Sequence, residues 1–236
     1  KAFEKSGILL NHFKCIFGTR TLKYLGFEVS DKGWRPLPDR VKSIKNFERP
    51  KTQKALKRFI GSCSFLSNCI PGLQYHMQPL HNISGVKSKF EWTNEHDICF
   101  QKIKDLICHS VMMAYPDPDP KRSLYLTTDA SDKGFGSVLT QLDSNGIERP
   151  LGFHSGSFHN SEIKWEIRTK EMYSFYVSLD FFYDYLILRP FTWRTDNQAL
   201  KYFEKNLTNR STRKNMKIVR WLDFINQFNF TIQLHK

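Results

Sequence analysis

Hydrophobic and polar residues in the second half of the chain follow the period of a sheet. From 124 to 127, leucines alternate with Tyr125 and Thr127, which is the two-residue period of a strand with one buried face, and this strand runs out at Asp129. Asn145-Gly146 lies between apolar segments, where this dipeptide favours a β-hairpin. The pattern predicts further strands at residues 136–142, 150–155, 191–195 and 228–234.

A long helix is predicted between the third and fourth of these strands. Apolar residues recur at helical spacing from Thr169 to residue 186, Glu171 stands in the first turn, and Pro190 closes the segment. Three antiparallel strands, a helix, a strand and a basic helix region at 201–220 together form an α/β layer arrangement.

The first half of the chain is predicted to be rich in helix. A strand at 22–29 and a turn at 30–33 precede a short helix at 39–47. Thr52 offers an N-cap for a longer helix that continues until Pro71-Gly72, and another helix is predicted at 94–108. Residues 115–120 alternate proline with aspartate, which neither helix nor sheet accommodates, and they mark the predicted domain boundary.

The composition is that of a globular protein with a substantial core. Of 236 residues, 40% are apolar and 14% aromatic, which argues against disorder. No segment approaches the roughly 20 consecutive apolar residues of a membrane span, so no membrane partner is expected. The 5 cysteines are scattered without a C-x-x-C pair, so we expect core thiols in an intracellular protein of the cytoplasm or nucleus.

The net charge of +13 indicates a polyanionic partner, of which nucleic acid is the commonest. Lys54, Lys57 and Arg58 lie where they could meet a phosphate backbone, although this feature alone fits a solvated helix face better. A second basic group lies in the helix region at 201–220. Its members are Lys201, Lys205, Arg210, Arg213, Lys214, Lys217 and Arg220.

Three carboxylates suggest a metal site. Taken alone, Asp129 fits an ordinary hairpin equally well. If the first and fourth strands are neighbours, however, Asp129 and Asp196 converge at one edge of the sheet with Glu171 above them. Clustered carboxylates repel one another and raise each other's pKa values unless a cation neutralises them. Mg²⁺ suits such oxygen ligands, and two ions about 4 Å apart can support phosphodiester cleavage.

Several motifs, in the same order along the chain, resemble the polymerase C-terminal part and RNase H domain of a Gypsy-type LTR retrotransposon reverse transcriptase. Residues 24–33 resemble the end of its palm, 54–61 with Ile70-Pro71 its thumb, and 90–104 the passage from thumb to RNase H. The RNase H metal-ligand motifs are matched by Thr128-Asp129-Ala130-Ser131, Thr169-Lys170-Glu171 and Arg194-Thr195-Asp196-Asn197.

The resemblance implies three parts: the end of a palm at 1–50, a thumb and linker at 51–122, and an RNase H-like domain at 123–236, truncated before its last helix. The implied fold is α+β and α/β, with a helix-rich thumb-like segment followed by an RNase H-like mixed β-sheet with flanking helices. The implied activity is metal-dependent endonucleolytic cleavage of RNA in RNA–DNA hybrids. Asp129, Glu171 and Asp196 would be catalytic ligands of two Mg²⁺ ions, with Mn²⁺ as a substitute.

Under the same resemblance, Lys54, Lys57, Arg58, Asn197 and the basic group between 201 and 220 would bind the hybrid, which is recognised by shape and 2′-hydroxyls. The family's polymerase aspartates would lie upstream of residue 1. Its RNase H sites use a fourth carboxylate on a helix after the last strand, and Asp223 is a poor substitute because it faces away from the apolar side of its helix. Catalysis is therefore left open, and the alternative is a domesticated, inactive domain that serves as a scaffold for a protein or RNA.

Overall fold

The computed structural model describes residues 6–7, 9, 11–85, 90–159, 161–196 and 216–234. The first elements form a three-stranded antiparallel sheet in the order β1-β2-β3. Its strands are β1 (Thr21–Tyr24), β2 (Phe27–Ser30) and β3 (Gly33–Pro36). The prediction of one strand at 22–29 was therefore wrong. The chain reverses at Leu25 and Gly26, whose φ angles of 45° and 86° are those of a tight hairpin turn.

Four helices follow, and they carry the apolar core of the first half. They are α1 (Pro38–Lys45), α2 (Gln53–Ser64), α3 (Leu73–Ser84) and α4 (Asn94–Cys108). The Thr52 side chain caps α2 by accepting a hydrogen bond from the Ala55 amide at 3.2 Å. Phe59 of α2 packs against Phe100 of α4 with ring centroids 4.6 Å apart, and both rings are buried.

Two boundaries differ from the sequence prediction in this region. The helix that begins after Thr52 ends at Ser64 and is followed by a 3₁₀ turn at Ser67–Cys69, so it stops before Pro71. Helix α3 was not predicted, because Pro71-Gly72 resembles a stop and Pro79 lies inside the helix. Gly72, with a φ of 68°, instead makes the left-handed turn from which α3 begins.

The second half is built on a mixed five-stranded sheet in the order β6-β5-β4-β7-β8. Its strands are β4 (Leu124–Ala130), β5 (Gly134–Leu142), β6 (Glu148–Ser157), β7 (Phe191–Thr195) and β8 (Phe230–Leu234). Strands β4, β5 and β6 are antiparallel, whereas β7 runs parallel to both β4 and β8. The first and fourth strands of this sheet are thus neighbours, as the carboxylate hypothesis required.

Helices α5 (Ile167–Phe181), α6 (Tyr183–Leu186) and α7 (Met216–Ile225) belong to this second half. The predicted helix from 169 to 186 begins two residues earlier and is interrupted at Phe182, whose φ and ψ of −98° and 21° are not helical. Phe175 of α5 stacks on Trp193 of β7 with ring centroids 3.7 Å apart, and the Trp193 indole donates to the Thr128 hydroxyl at 2.9 Å. These buried contacts fix α5 over β4 and β7.

The two halves are in contact along the outer strand of the large sheet. Phe153 of β6 packs against the apolar cluster of the first half. The amide of Ala114, just before the boundary, donates to the Pro150 carbonyl of β6 at 2.8 Å. Residues 115–120 between the halves contain neither helix nor strand. Covering β6 in this way protects an edge strand that would otherwise offer unpaired backbone groups. No helix in the described ranges is long and apolar enough to cross a membrane.

Candidate metal centre

Asp129, Glu171 and Asp196 meet at one edge of the five-stranded sheet. Asp129 is the last residue but one of β4, and Asp196 directly follows β7. Because β4 and β7 are parallel, both aspartates leave the sheet at the same edge. Glu171 reaches them from the second turn of α5. One carboxylate oxygen of each residue lies within 4.8 Å of one from each of the others.

The three acids differ in their access to solvent. Asp129 and Asp196 are exposed, whereas Glu171 is only 2% exposed. Glu171 Oε1 accepts a hydrogen bond from the Ala130 amide at 3.2 Å. Its second oxygen, Oε2, is buried and has no hydrogen-bond partner among the described residues. A buried carboxylate oxygen without a partner is costly, so this oxygen indicates a ligand site.

Burial and, to a smaller extent, repulsion from Asp196 and Asp129 raise the pKa of Glu171 to about 7. The hydrogen bond from the Ala130 amide opposes this shift, because it stabilises the charged form. A divalent cation would reverse the shift by favouring the carboxylate. The site is thus electrostatically arranged to take up positive charge.

Protein cations do not fill this role in the described part of the chain. The ion pairs there involve other carboxylates, such as Glu28, Asp97 and Glu148, and none includes a residue of the acidic trio. Three carboxylates with one buried, unpartnered oxygen fit a hard divalent cation, which prefers oxygen ligands.

The predicted nucleic-acid residues fall into two groups. Lys54, Lys57 and Arg58 lie on the exposed side of α2, and Lys217 is exposed on α7 with its ammonium 3.8 Å from the Trp165 ring centroid. The other predicted residues lie outside the described ranges. They are Asn197, Lys201, Lys205, Arg210, Arg213 and Lys214. Arg220 is exposed on α7.

Asp223 is exposed on α7, whose buried residues are Trp221, Leu222 and Ile225. The prediction that it faces away from the apolar side of its helix is therefore confirmed. It is not among the residues of the acidic cluster.

The sequence analysis did not predict that Lys170 lies near the site with its side chain buried. It is only 3% exposed, and its ammonium donates to the Asp132 carbonyl at 2.9 Å. A lysine beside a glutamate in a helix is usually solvated, so the pattern gave no signal of its burial. The sequence also did not indicate the complete burial of Ser174, one turn later in α5, because serine is mostly exposed in proteins.

Among known families, residues 119–228 match the model of the RNase H-like domain found in reverse transcriptase. This range contains all three acids. The chain is also 28% identical, over 231 residues, to the Tf2-3 and Tf2-4 transposon polyproteins of Schizosaccharomyces pombe. The match covers 97% of the chain but 17% of each polyprotein, so the chain spans about a sixth of these relatives.

Among solved structures, the foamy viral protease-reverse transcriptase has the same fold. In its complex with dsDNA it matches 92% of this chain and 45% of its own, with a TM-score of 0.76 and 21% identity. In its complex with an RNA/DNA hybrid it matches 92% of this chain and 29% of its own, with a TM-score of 0.75 and 21% identity. Residues 119–228 are thus similar to the RNase H-like domain of reverse transcriptases, and nearly the whole chain is similar to retrotransposon polyproteins, in agreement with the resemblance of its motifs.

Proposed function

We propose that this chain is part of a metal-dependent endonuclease that cleaves the RNA strand of RNA–DNA hybrids. The observation that carries the proposal is the convergence of Asp129, Glu171 and Asp196, with one buried oxygen of Glu171 that has no hydrogen-bond partner in the described ranges. Electrostatic repulsion among three clustered carboxylates destabilises the folded protein. A cation bound by all three would offset this repulsion and explains why they converge. The match to a reverse-transcriptase RNase H-like domain supports the same activity.

In this proposal the acidic trio holds Mg²⁺, as a pair of ions, and Mn²⁺ can replace it. When bound, such ions activate a water and stabilise the leaving oxygen of a phosphodiester. The protein's own contribution is to fix its ligands in advance. The Ala130 amide orients Glu171, and the sheet orients the two aspartates. Because Asp129 and Asp196 are exposed, a phosphate group can approach them from solvent.

The substrate class follows from charge and from the relatives. The chain carries a net charge of +13, which favours polyanions. Lys54, Lys57 and Arg58 of α2 offer exposed cations that would contact the nucleic-acid backbone, and Lys217 would do so from α7. A similar solved protein is described in complex with an RNA/DNA hybrid, which supports a hybrid as the partner here. Recognition would depend on duplex shape and 2′-hydroxyls, with little sequence preference.

The test is cleavage of a hybrid labelled on its RNA strand, in the presence and absence of Mg²⁺. We expect cleavage that needs the metal and is abolished by Asp129→Asn. Asp223→Asn is the matched control, because Asp223 is an exposed acid outside the cluster. Cleavage that survives Asp129→Asn would contradict the proposal. The alternative, an inactive scaffold, would be favoured if the chain bound the hybrid or a protein without metal and if neither the chain nor a longer protein that contains it cleaved the hybrid.

A further inference from the structure

Side chains of helix α5 form three hydrogen bonds with the backbone at the end of β4 and in the turn after it. Each contact is a hydrogen bond between a side chain in the first half of α5 and a main-chain group of residues 129–132. They are Ser174 Oγ to the Asp129 carbonyl at 3.5 Å, the Ala130 amide to Glu171 Oε1 at 3.2 Å, and Lys170 Nζ to the Asp132 carbonyl at 2.9 Å. The helix that carries one acid is thus tied to the strand that carries another.

Lys170 is the unusual member of this group. Its side chain is 4% exposed, although an ammonium is strongly hydrated in water and its burial is unfavourable. It also lies near the positive end of the helix dipole, where a cation is disfavoured. The carboxylate of Asp132 is 3.7 Å away but 96% exposed, so this ion pair stabilises little. Among the described residues, the remaining contacts of the Lys170 ammonium are the Asp132 carbonyl and the Phe158 ring, whose centroid is 5.5 Å away.

The turn that Lys170 holds is packed from its other side as well. A Cβ atom added at Gly134 would lie 2.6 Å from the Gly156 carbonyl oxygen and 3.3 Å from Cδ2 of Tyr75. Within the turn, the Ser131 amide donates to the Gly134 carbonyl at 2.8 Å. The turn is therefore closely packed and internally hydrogen-bonded, and the Lys170 ammonium contacts it from the side of α5.

We propose that Lys170 is a positioning residue that sets the separation of Glu171 from Asp129 through its hydrogen bond to the Asp132 carbonyl. The inference rests on the metal site proposed above. Lys170 neither binds the metal nor touches the substrate in this account. Without its hydrogen bond, α5 and the turn shift relative to each other, and the carboxylates no longer converge as closely. Metal affinity should fall although every ligand is still present.

The experiment measures Mn²⁺ binding by electron paramagnetic resonance and amide hydrogen exchange at residues 130–134, in the whole chain without nucleic acid. Lys170→Met removes the donor and the charge but keeps the apolar stem. Lys170→Arg keeps a donor and the charge. Asp132→Asn is the matched control, because it removes the exposed carboxylate and leaves the carbonyl that accepts the hydrogen bond. Thermal unfolding of each variant checks that it folds.

We expect Lys170→Met to raise the Kd for Mn²⁺ about tenfold and to accelerate exchange at 130–134, while the exchange of β5 and β6 amides further from the turn stays unchanged. Lys170→Arg should recover most of the affinity, and Asp132→Asn should bind like the wild type. If Lys170→Met does not fold, Lys170→Gln carries the same expectation, since its shorter side chain does not reach the carbonyl.

If the folded Lys170→Met or Lys170→Gln variant binds Mn²⁺ and exchanges its 130–134 amides like the wild type, the role of Lys170 is contradicted, but the proposed metal site is not. Loss of affinity in Asp132→Asn equal to that in Lys170→Met would also overturn it, because the carboxylate would then be the important contact. A wild-type chain that binds no Mn²⁺ would contradict the proposed metal site itself, and with it the role of Lys170 in metal binding.

Discussion

Asp129, near the end of β4, and Asp196, directly after β7, lie at equivalent positions along two neighbouring parallel strands. Thr127 of β4 is paired with Arg194 of β7, and the same register two residues further along sets Asp129 beside Asp196. Adjacent strands lie about 4.8 Å apart, so this register brings the two carboxylates to within reach of one cation. A slip of one residue would turn one aspartate to the opposite face of the sheet. The register of β4 and β7 is therefore the structural basis of the proposed site.

The pairing of Trp193 with Thr128 should maintain this register. Trp193 is 1% exposed and Thr128 is 2% exposed, and their hydrogen bond crosses from β7 to β4. We expect Trp193→Phe to lower the free energy of unfolding by about 1–3 kcal/mol, because it leaves a buried hydroxyl without its donor. Urea unfolding measures the change. The double variant with Thr128→Val should lose less than the sum of the two single changes, and strict additivity would show that this hydrogen bond is unimportant.

Two glycines of β5 provide a matched test of how tightly the turn after β4 is packed. Gly134→Ala would place its new methyl group 2.6 Å from the Gly156 carbonyl oxygen, so we expect a loss of about 1–3 kcal/mol in unfolding free energy. Gly136→Ala meets no atom within 4 Å and should be neutral or slightly stabilising. Equal thermal stabilities of the two variants would contradict the packing described here.

The buried acid predicts a specific pH dependence of stability in the metal-free protein. The folded-state pKa of Glu171 is raised from 4.5 to about 7, so the folded form holds a proton that the unfolded form releases. The stabilisation is fully present below about pH 4.5 and is lost as the pH rises through 7. Relative to Glu171→Gln, the wild type should lose about 3 kcal/mol of unfolding free energy across this window.

The comparison with Glu171→Gln is needed because His154 titrates in an overlapping range with the opposite sign. Burial lowers the pKa of His154 from 6.5 to about 4, so its contribution to stability is lost as the pH falls through that interval. This contribution is common to both proteins and cancels in the difference. Denaturant unfolding between pH 4 and 8 gives the two curves. Parallel curves would show that Glu171 is not a buried, perturbed acid.

The exposed cations of α2 predict a salt effect on hybrid binding. If Lys57 contacts a phosphate, Lys57→Ala should weaken binding for every sequence and reduce the slope of log affinity against log salt by about 1. Lys45→Ala, which removes an exposed charge on α1, is the control for net charge alone. Fluorescence anisotropy over a salt series measures both slopes. Equal slopes for the two variants would argue against α2 as part of the nucleic-acid surface.

The site was easier to predict from the sequence than the fold around it. Asp129 lies at the end of one alternating strand and Asp196 directly after another, so parallel pairing of these two strands brings the aspartates together. The burial of Lys170 depends on how far α5 lies from the turn, which is a tertiary distance that no local pattern encodes. The partnerless oxygen of Glu171 is likewise visible only when the packing around it is known.

The misread elements of the first half have local causes. Gly26 adopts a left-handed conformation that separates two strands, although the apolar pattern around it suggests one continuous strand. Gly72 adopts a left-handed conformation from which a helix begins, although Pro71-Gly72 suggests the end of a helix. Pro79 within α3 looks like a helix breaker, yet Met77 and Leu80 on either side of it are buried. Burial of the apolar face of α3 therefore outweighs the unfavourable proline.

Calorimetric titration of the chain with Mg²⁺ and Mn²⁺ tests the central claim most directly, because it asks whether the three acids hold a cation. The account predicts binding by the wild type, a loss of at least about tenfold in affinity for Asp196→Asn as a charged ligand is removed, and no change for Asp223→Asn. Absence of binding, or equal binding by all three proteins, would contradict it.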